Sequence, residues 1–101
     1  MKRKLFVEIK EEARQDILAA SSWYREQQSG LDKKFISVVE DTLKRIVKYP
    51  EAGAKIYKSF RQAIVKKFPY IIMYQVLSDS IVIFQVFNTW QYLAKKRKIK
   101  K

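Results

Sequence analysis

The sequence predicts an α+β domain in which a helical hairpin packs on one face of a mainly antiparallel sheet. Three strand-like segments, residues 60–67, 70–77 and 80–87, are rich in Ile, Val, Phe and Tyr, and two residues separate each from the next. Connections this short permit only antiparallel pairing, because a parallel crossover needs about a dozen residues or more. Two segments with helical periodicity precede these strands, and a short strand-like segment precedes the helices. The predicted order is therefore β-α-α-β-β-β.

The middle strand-like segment is predicted to lie at the centre of the sheet, because it is apolar on both sides. One face carries Tyr70, Ile72, Tyr74 and Val76, and the other carries Ile71, Met73 and Leu77. The first segment is predicted to be an outer strand. Its Arg61, Lys66 and Lys67 stand among apolar residues, so part of this strand is expected to reach solvent or a ligand.

Residues 5–9 predict a further strand, which joins the other three after the helices intervene. Glu11 and Glu12 open the first helix, where acidic side chains favour the positive end of the helix dipole. Its inner stripe recurs at helical spacing and comprises Ala13, Ile17, Ala20 and Tyr24. Gly30, after Ser29, ends this helix because glycine tolerates the left-handed conformation that often follows a helix C-terminus.

The second helix is predicted to run to about residue 48, with Ser29 or Asp32 as its cap and Pro50 closing it. Its inner stripe comprises Leu31, Phe35, Val38, Val39, Thr42 and Ile46, and Ile36, Leu43 and Val47 widen it. Residues 51–59 are predicted to be a connection without regular structure. The tight junction between the helices favours an antiparallel hairpin on one sheet face. The other face, with Arg61 and Tyr74, is left for the C-terminal tail or a partner.

The length of 101 residues predicts a single domain, 1–101, with a basic tail from about residue 89. The chain has no cysteine and no histidine, so disulfides and thiolate metal sites are excluded, and any catalysis must use Lys, Arg, Tyr, Asp or Glu. We expect no metal and no cofactor. No apolar run approaches the roughly 20 residues that span a bilayer, and the N-terminus lacks a signal peptide pattern. We therefore expect a cytoplasmic protein that does not bind membranes.

The formal net charge is +12, from 22 Lys and Arg against 10 Asp and Glu. Such an excess indicates an acidic partner, which is nucleic acid, an anionic membrane surface or an acidic protein. The alternative is a generally basic surface without a partner. Six of the final seven residues are basic, and they include Lys95, Lys96, Arg97 and Lys98. A terminal run of charge is typical of a solvated tail, and it is also typical of an arm that contacts phosphates or an acidic protein.

The order and spacing of several residues resemble the RelE/ParE superfamily of bacterial toxins, and more closely its ParE-like branch. The resemblance covers nearly the whole chain and rests on Ala13, Asp16, Trp23, Tyr24, Gly30, Leu31, Phe35, residues 43–46, Pro50, Arg61, Phe68, Pro69, Tyr70, Tyr74, Val86 and Phe87. It implies a toxin of a type II toxin–antitoxin module, which a cognate antitoxin binds and neutralises. It also implies the RelE/ParE fold.

The ParE-like branch implies a toxin that traps DNA gyrase and performs no chemistry itself. Many members carry a His and an Arg after the last strand, where this chain reads FNTWQYLAKK. The residues expected to contact the target or the antitoxin are Arg61, Tyr74, Asn88, Trp90, Lys95, Lys96, Arg97 and Lys98. The first four have purely structural alternatives: a salt-bridged Arg61, a core Tyr74, an Asn88 that satisfies local backbone and a Trp90 packed back on the sheet. For the four basic residues the alternative is a solvated tail.

The RelE-like branch implies instead an endonuclease that cuts mRNA on the ribosome. Cleavage without histidine needs a group that helps activate the ribose 2′-hydroxyl and positive charge around the phosphate. The candidates are Arg61, Lys66, Lys67 and Tyr74. However, an Arg early in the central strand of such enzymes corresponds to Ile71, and Asn88, Thr89 and Trp90 replace their later basic motif. A third alternative is a non-toxic basic module that binds nucleic acid.

Overall fold

The computed structural model describes residues 5–90. The elements run β1 (Phe6–Ile9), α1 (Glu11–Gln27), α2 (Leu31–Lys48), β2 (Ala54–Tyr57), β3 (Phe60–Val65), β4 (Tyr70–Val76) and β5 (Ser80–Asn88). The predicted order of strand, two helices and three strands is confirmed, with one additional strand, β2, between α2 and β3. Within residues 5–90, neither helix is long and apolar enough to cross a membrane.

The strands form one sheet in the order β1-β5-β4-β3-β2, so β4 occupies the predicted central position. The pairs β2–β3, β3–β4 and β4–β5 are antiparallel, whereas β1 pairs with β5 in parallel. The parallel pair is possible because the whole helical hairpin lies in the connection between β1 and the later strands. The expectation of a mainly antiparallel sheet is confirmed.

The prediction that residues 51–59 lack regular structure is wrong, because Ala54–Tyr57 pairs with β3. All four residues of this edge strand are exposed, and a bulge lies between Lys55 and Tyr57. The segment therefore lacks the alternation of apolar and polar residues from which a strand is normally predicted. The prediction that β3 is an outer strand is also wrong, because β2 lies outside it. The β3 strand is second from the edge, and Arg61 pairs with Lys55 on one side and with Tyr74 on the other.

Both helices pack on the same face of the sheet, α1 over β5 and α2 over β3. Their buried residues are Ala13, Ala20, Tyr24, Phe35, Val39, Thr42 and Ile46, all members of the predicted stripes. The cap prediction is wrong, since Gly30 is the N-cap of α2 and no side chain caps that helix by a hydrogen bond. Gly30 has a φ of 89°, a conformation that glycine adopts without steric cost.

An aromatic cluster fastens the turn between β3 and β4 to the helices. Phe68 lies 4.9 Å from Tyr24 and 5.2 Å from Phe35, measured between ring centroids, and both contacts are edge-on. Tyr70 lies 5.2 Å from Phe35. Edge-on aromatic pairs contribute about 0.5–1.5 kcal/mol each beyond the area they bury. The Phe-Pro-Tyr turn is therefore part of the hydrophobic core.

Candidate functional site

Arg61 and Tyr74 hold the loop that connects α2 to β2. They are direct partners in the β3–β4 register. The Arg61 guanidinium donates from Nη1 to the carbonyl oxygens of Glu51, at 2.9 Å, and Gly53, at 2.7 Å. The Tyr74 hydroxyl donates to the carbonyl oxygen of Pro50 at 2.9 Å. These three hydrogen bonds, which we call the loop anchor, satisfy three backbone acceptors that a short loop could not pair within itself.

Tyr74 lies on the helix-covered face with only 1% of its surface exposed, and Arg61, its direct cross-strand partner, shares that face. The expectation that both lie on the uncovered face is therefore wrong. The pKa of Tyr74 is raised from the ordinary tyrosine value because burial disfavours the phenolate. A backbone N–H of Gly53 and the guanidinium groups of Arg61 and Arg45 oppose that effect only in part. The phenol therefore keeps its proton at neutral pH and serves as a hydrogen-bond donor to the loop.

Lys66 and Lys67 lie at the opposite end of β3 from Arg61, in the exposed turn before β4. At about 3.3 Å per residue, five residues of strand separate Arg61 from Lys66 by roughly 16 Å. The four candidates for RNA cleavage, Arg61, Lys66, Lys67 and Tyr74, are therefore not brought together. Two of them stabilise a loop, and two are exposed at the other end of the hairpin.

The uncovered face of the sheet is apolar where β3 and β4 meet. Ile64 is 62% exposed and pairs directly with Ile71, and Gln62 pairs with Met73 on the same face. Because Ala63 and Ile72, between them in the strands, are buried under the helices, these residues point away from the helices. Ile71 occupies the position at which the nuclease branch would carry an Arg. Its neighbours on this face of β3 and β4 are uncharged.

Acidic residues of α1 contact the end of β5. Val86 donates its backbone N–H to Asp16 Oδ2 at 2.9 Å, and Gln85 Nε2 donates to Glu12 Oε2 at 2.9 Å. β1 pairs with β5 only as far as Ile83, so α1 supplies acceptors for the strand edge beyond that point. Burial raises the pKa of Asp16, the Val86 N–H opposes this effect and the nearby Glu12 adds to it. The sequence did not indicate this pair as a site.

These acidic residues line an open groove of about 750 Å³ beside α1 and the end of β5, and its lining reaches the uncovered sheet face at Met73. Ala19, Ala20, Trp23, Ile56, Tyr70, Met73, Phe87 and Asn88 complete its lining. Among residues 5–90, His, Cys, Asp and Glu form no group of three or more that could hold a metal ion. The carboxylates of Glu12 and Asp16 accept hydrogen bonds from the Gln85 amide and the Val86 backbone of β5.

Asn88 and Trp90 mark the end of the described chain. Asn88 Oδ1 accepts the backbone N–H of Trp90 at 2.9 Å, the local role that asparagine often takes at the end of a strand. The Trp90 ring is 73% exposed, so within residues 5–90 it is not packed on the sheet. The remaining predicted binding residues, Lys95, Lys96, Arg97 and Lys98, lie outside the described residues.

A second groove, of about 900 Å³, lies between the β1 edge and α2. Its lining is apolar apart from two lysines and comprises Leu5, Val7, Leu43, Lys44, Val47, Lys48 and Pro50. We call it the β1–α2 groove. The sequence does not predict this groove, because helical periodicity assigns Leu43 and Val47 to the inner stripe of α2. Whether these two side chains are exposed depends on how far α2 lies from β1.

Comparisons with known proteins agree on the kind of molecule. Residues 7–91 match the family model described as the ParE toxin of the type II toxin–antitoxin system, parDE. The fold is similar to a structure of the chromosomal ParDE TA system from P. aeruginosa, with a TM-score of 0.72 at 16% identity over 86% of this chain and 98% of that chain. It is also similar to the isolated E. coli RelE toxin, with a TM-score of 0.55 at 17% identity over 92% and 97%. No curated protein sequence matches.

Proposed function

The chain belongs to the family of ParE toxins of type II toxin–antitoxin systems, and from this membership we propose that it arrests bacterial growth by binding and inhibiting DNA gyrase. It is thus a ParE-like toxin with a cognate antitoxin as its partner. In this proposal the toxin acts in the cytoplasm, where gyrase and DNA are found. It carries out no chemistry of its own.

The dispersal of the candidate cleavage residues is the observation that favours binding over RNA cleavage. Arg61 donates two hydrogen bonds to loop carbonyls and Tyr74 donates a third. Stabilising charge at a scissile phosphate requires donors that are free and preorganised towards the reacting atoms. The loop holds the hydroxyl of Tyr74 and Nη1 of Arg61, and the apolar pair of Ile64 and Ile71 provides no charge on the uncovered face.

The contact with the target is proposed to lie at the C-terminal end. Trp90 offers a large exposed ring, and exposed aromatic residues frequently anchor protein interfaces. The segment that follows Trp90 in the sequence is strongly basic. Six of the 22 Lys and Arg residues fall in residues 91–101, which contain no Asp or Glu. Lys95, Lys96, Arg97 and Lys98 are therefore proposed to contact the acidic surface of a gyrase–DNA complex.

The test is inducible expression in a bacterial host, scored in the same cultures for growth, plasmid supercoiling and mRNA integrity. We expect growth arrest with relaxed plasmid and intact message, and inhibition of supercoiling by purified gyrase. Trp90→Ala is expected to weaken that inhibition at least about tenfold, whereas Tyr57→Ala, an exposed aromatic residue on the β2 edge, leaves it within about twofold. Message cleavage, or normal growth with folded protein present, would overturn the proposal.

A further inference from the structure

The open groove beside α1 and the end of β5 combines an apolar wall with an acidic rim, and we call it the α1–β5 groove. Its apolar lining includes Trp23, which is 55% exposed on α1, and the partly buried Met73 and Phe87 of the sheet. Among the described residues, its acidic lining is Glu12 and Asp16, which stand one helical turn apart on α1. The groove therefore suits an occupant that is apolar in one part and positively charged in another.

Within residues 5–90, neither of these two carboxylates forms an ion pair. Lys10 and Arg14, the basic residues nearest to them in the chain, pair with other glutamates at 3.3 Å and 3.5 Å. Glu12 and Asp16 each accept one hydrogen bond from β5, through one oxygen. A carboxylate has acceptor sites on both oxygens, so each retains capacity for a cationic donor. Because like charges four residues apart on a helix repel each other, a cation beside both would be stabilising.

The sequence that follows β5 has the composition that this groove requires. Asn88 lines the groove, and Trp90, two residues later, is the last described residue. Residues 92–94, Tyr-Leu-Ala, are apolar, and six of the seven residues 95–101 are Lys or Arg. The apolar part therefore lies next to the groove along the chain, and the charged part follows it.

This segment is long enough to reach both carboxylates. Glu12 and Trp23 are eleven residues apart on α1, which corresponds to about 17 Å of helix. Residues 91–101 are also eleven residues, and an extended chain of that length spans up to about 36 Å. The length of the segment therefore allows it to dock in its own chain.

Charge distinguishes this groove from the β1–α2 groove. The lining of the β1–α2 groove contains Lys44 and Lys48 and, among the described residues, no acidic side chain. The basic segment would meet like charge there and opposite charge in the α1–β5 groove, where an acidic partner is disfavoured. Docking within one chain is favoured further because the tether gives the segment a high effective concentration.

We propose that residues 91–101 dock in the α1–β5 groove of the same chain, with their apolar part against the groove wall and their cations against Glu12 and Asp16. The consequence for activity rests on the proposed function, in which the same basic segment contacts a gyrase–DNA complex. The groove then holds the segment away from that target, and the target competes with the groove for its cations.

The test uses the absence of cysteine, which allows a single nitroxide spin label on the full chain at Lys100→Cys. Docking is expected to broaden the backbone amide NMR signals of residues 12–23 and 85–88 and to leave those of residues 44–48 sharp. The broadening should weaken as salt rises, because the contact joins charged groups at an open surface. Uniform broadening, or broadening chiefly at residues 44–48, would overturn the proposal. So would broadening that arises only between different copies in a mixture of spin-labelled and isotope-labelled chains.

Matched variants of the labelled chain test the charge pairing. Glu12→Gln, Asp16→Asn is expected to reduce the broadening at residues 19–23 at least about threefold. The control is Glu40→Gln, Asp41→Asn, which makes the same charge change at exposed positions of α2 and should leave the broadening nearly unchanged.

A further variant removes the cations instead and leaves every described residue unchanged. Lys95→Gln, Lys96→Gln, Arg97→Gln, Lys98→Gln in the labelled chain is expected to reduce the broadening by a similar factor. Thermal unfolding establishes that each variant is folded. Undiminished broadening in a folded variant of either kind would overturn the proposal.

A supercoiling assay with purified gyrase separates this proposal from the proposed function. The unlabelled Glu12→Gln, Asp16→Asn variant releases the segment, so it is expected to inhibit gyrase at a concentration at least about twofold lower than the unmodified chain does. Equal inhibition by the two chains would contradict the competition between groove and target. If neither chain inhibits gyrase, the gyrase proposal fails, and the NMR measurements still decide whether the segment docks in the groove.

Discussion

Each end of the β3–β4 hairpin carries a basic side chain, and the two ends differ in what these side chains contact. At one end, Arg61 and Tyr74 donate three hydrogen bonds to loop carbonyls and lie next to the core. At the other end, Lys66 and Lys67 are exposed in the turn. The comparison shows that a cation beside a sheet can serve the fold itself, as Nη1 of Arg61 does by donating to two loop carbonyls.

The difference between the ends follows from side-chain chemistry. A guanidinium presents several donors in a rigid plane and can reach two carbonyls at once, as Arg61 does with Glu51 and Gly53. A lysine ammonium is strongly hydrated and costs more to remove from water, so it stays at the surface of a turn. Stability measurements at the two ends should therefore give very different results.

The largest effect is expected at Gly53, beneath the loop anchor. A Cβ at this position would lie 2.2 Å from the Tyr74 hydroxyl oxygen and 2.7 Å from the Gln62 carbonyl oxygen. Gly53→Ala is expected to lower the free energy of unfolding by about 3 kcal/mol, measured by urea denaturation. Combining it with Tyr74→Phe removes one of the two clashing atoms, so the double variant should lose less than the sum of the two single losses. Strict additivity would contradict the packing described here.

Arg61→Ala is expected to lower the free energy of unfolding by about 2 kcal/mol, because two carbonyl oxygens lose their donor. Arg61→Lys keeps the charge and loses the two-carbonyl geometry, so it should recover only part of that loss. If Arg61 were instead a functional group free of structural contacts, Arg61→Ala would abolish toxicity at unchanged stability. Paired measurements of growth arrest and urea denaturation distinguish these outcomes.

Asp16 is a carboxylate that accepts a hydrogen bond from the Val86 backbone N–H, and its effect on stability is expected to depend on pH. Because its folded pKa is raised, the folded state binds the proton more tightly than the unfolded chain does. The free energy of unfolding of the wild type should therefore fall relative to that of Asp16→Asn as the pH rises. The fall begins near the ordinary aspartate pKa of 3.8 and ends above the raised pKa of Asp16. Asparagine still accepts from the Val86 N–H. Urea denaturation at a series of pH values measures the difference, and a trend of opposite sign would contradict it.

The smallest effects are expected at the turn end of the hairpin. Lys66→Ala should change the free energy of unfolding by less than about 0.5 kcal/mol, since this lysine is exposed. Lys67 has a φ of 70°, a conformation that costs a side chain about 1 kcal/mol, so Lys67→Gly is expected to stabilise by about 0.5 kcal/mol after the entropy of the unfolded chain is included. Destabilisation above 1 kcal/mol at Lys66 would remove the contrast between the two ends.

Part of the candidate site could be predicted from the sequence. Asn88 was given a local backbone role as an alternative, and the structure shows its hydrogen bond to Trp90. The acceptor role of Asp16 could not be predicted, because it depends on β5 extending beyond β1 and on α1 crossing that edge. The β1–α2 groove likewise depends on the separation of two elements far apart in the chain.

The sequence by itself determined the helices, their buried stripes and the central place of β4. These follow from local periodicity, as at Phe35, Val39 and Ile46, and from a segment that is apolar on both faces. Only the tertiary structure decided that residues 54–57 form a strand, that Arg61 and Tyr74 hold a loop, and that Lys66 and Lys67 stand apart from them. The reason is physical: backbone pairing and hydrogen-bond partners between distant segments depend on where folding brings them, and side-chain type alone does not encode that.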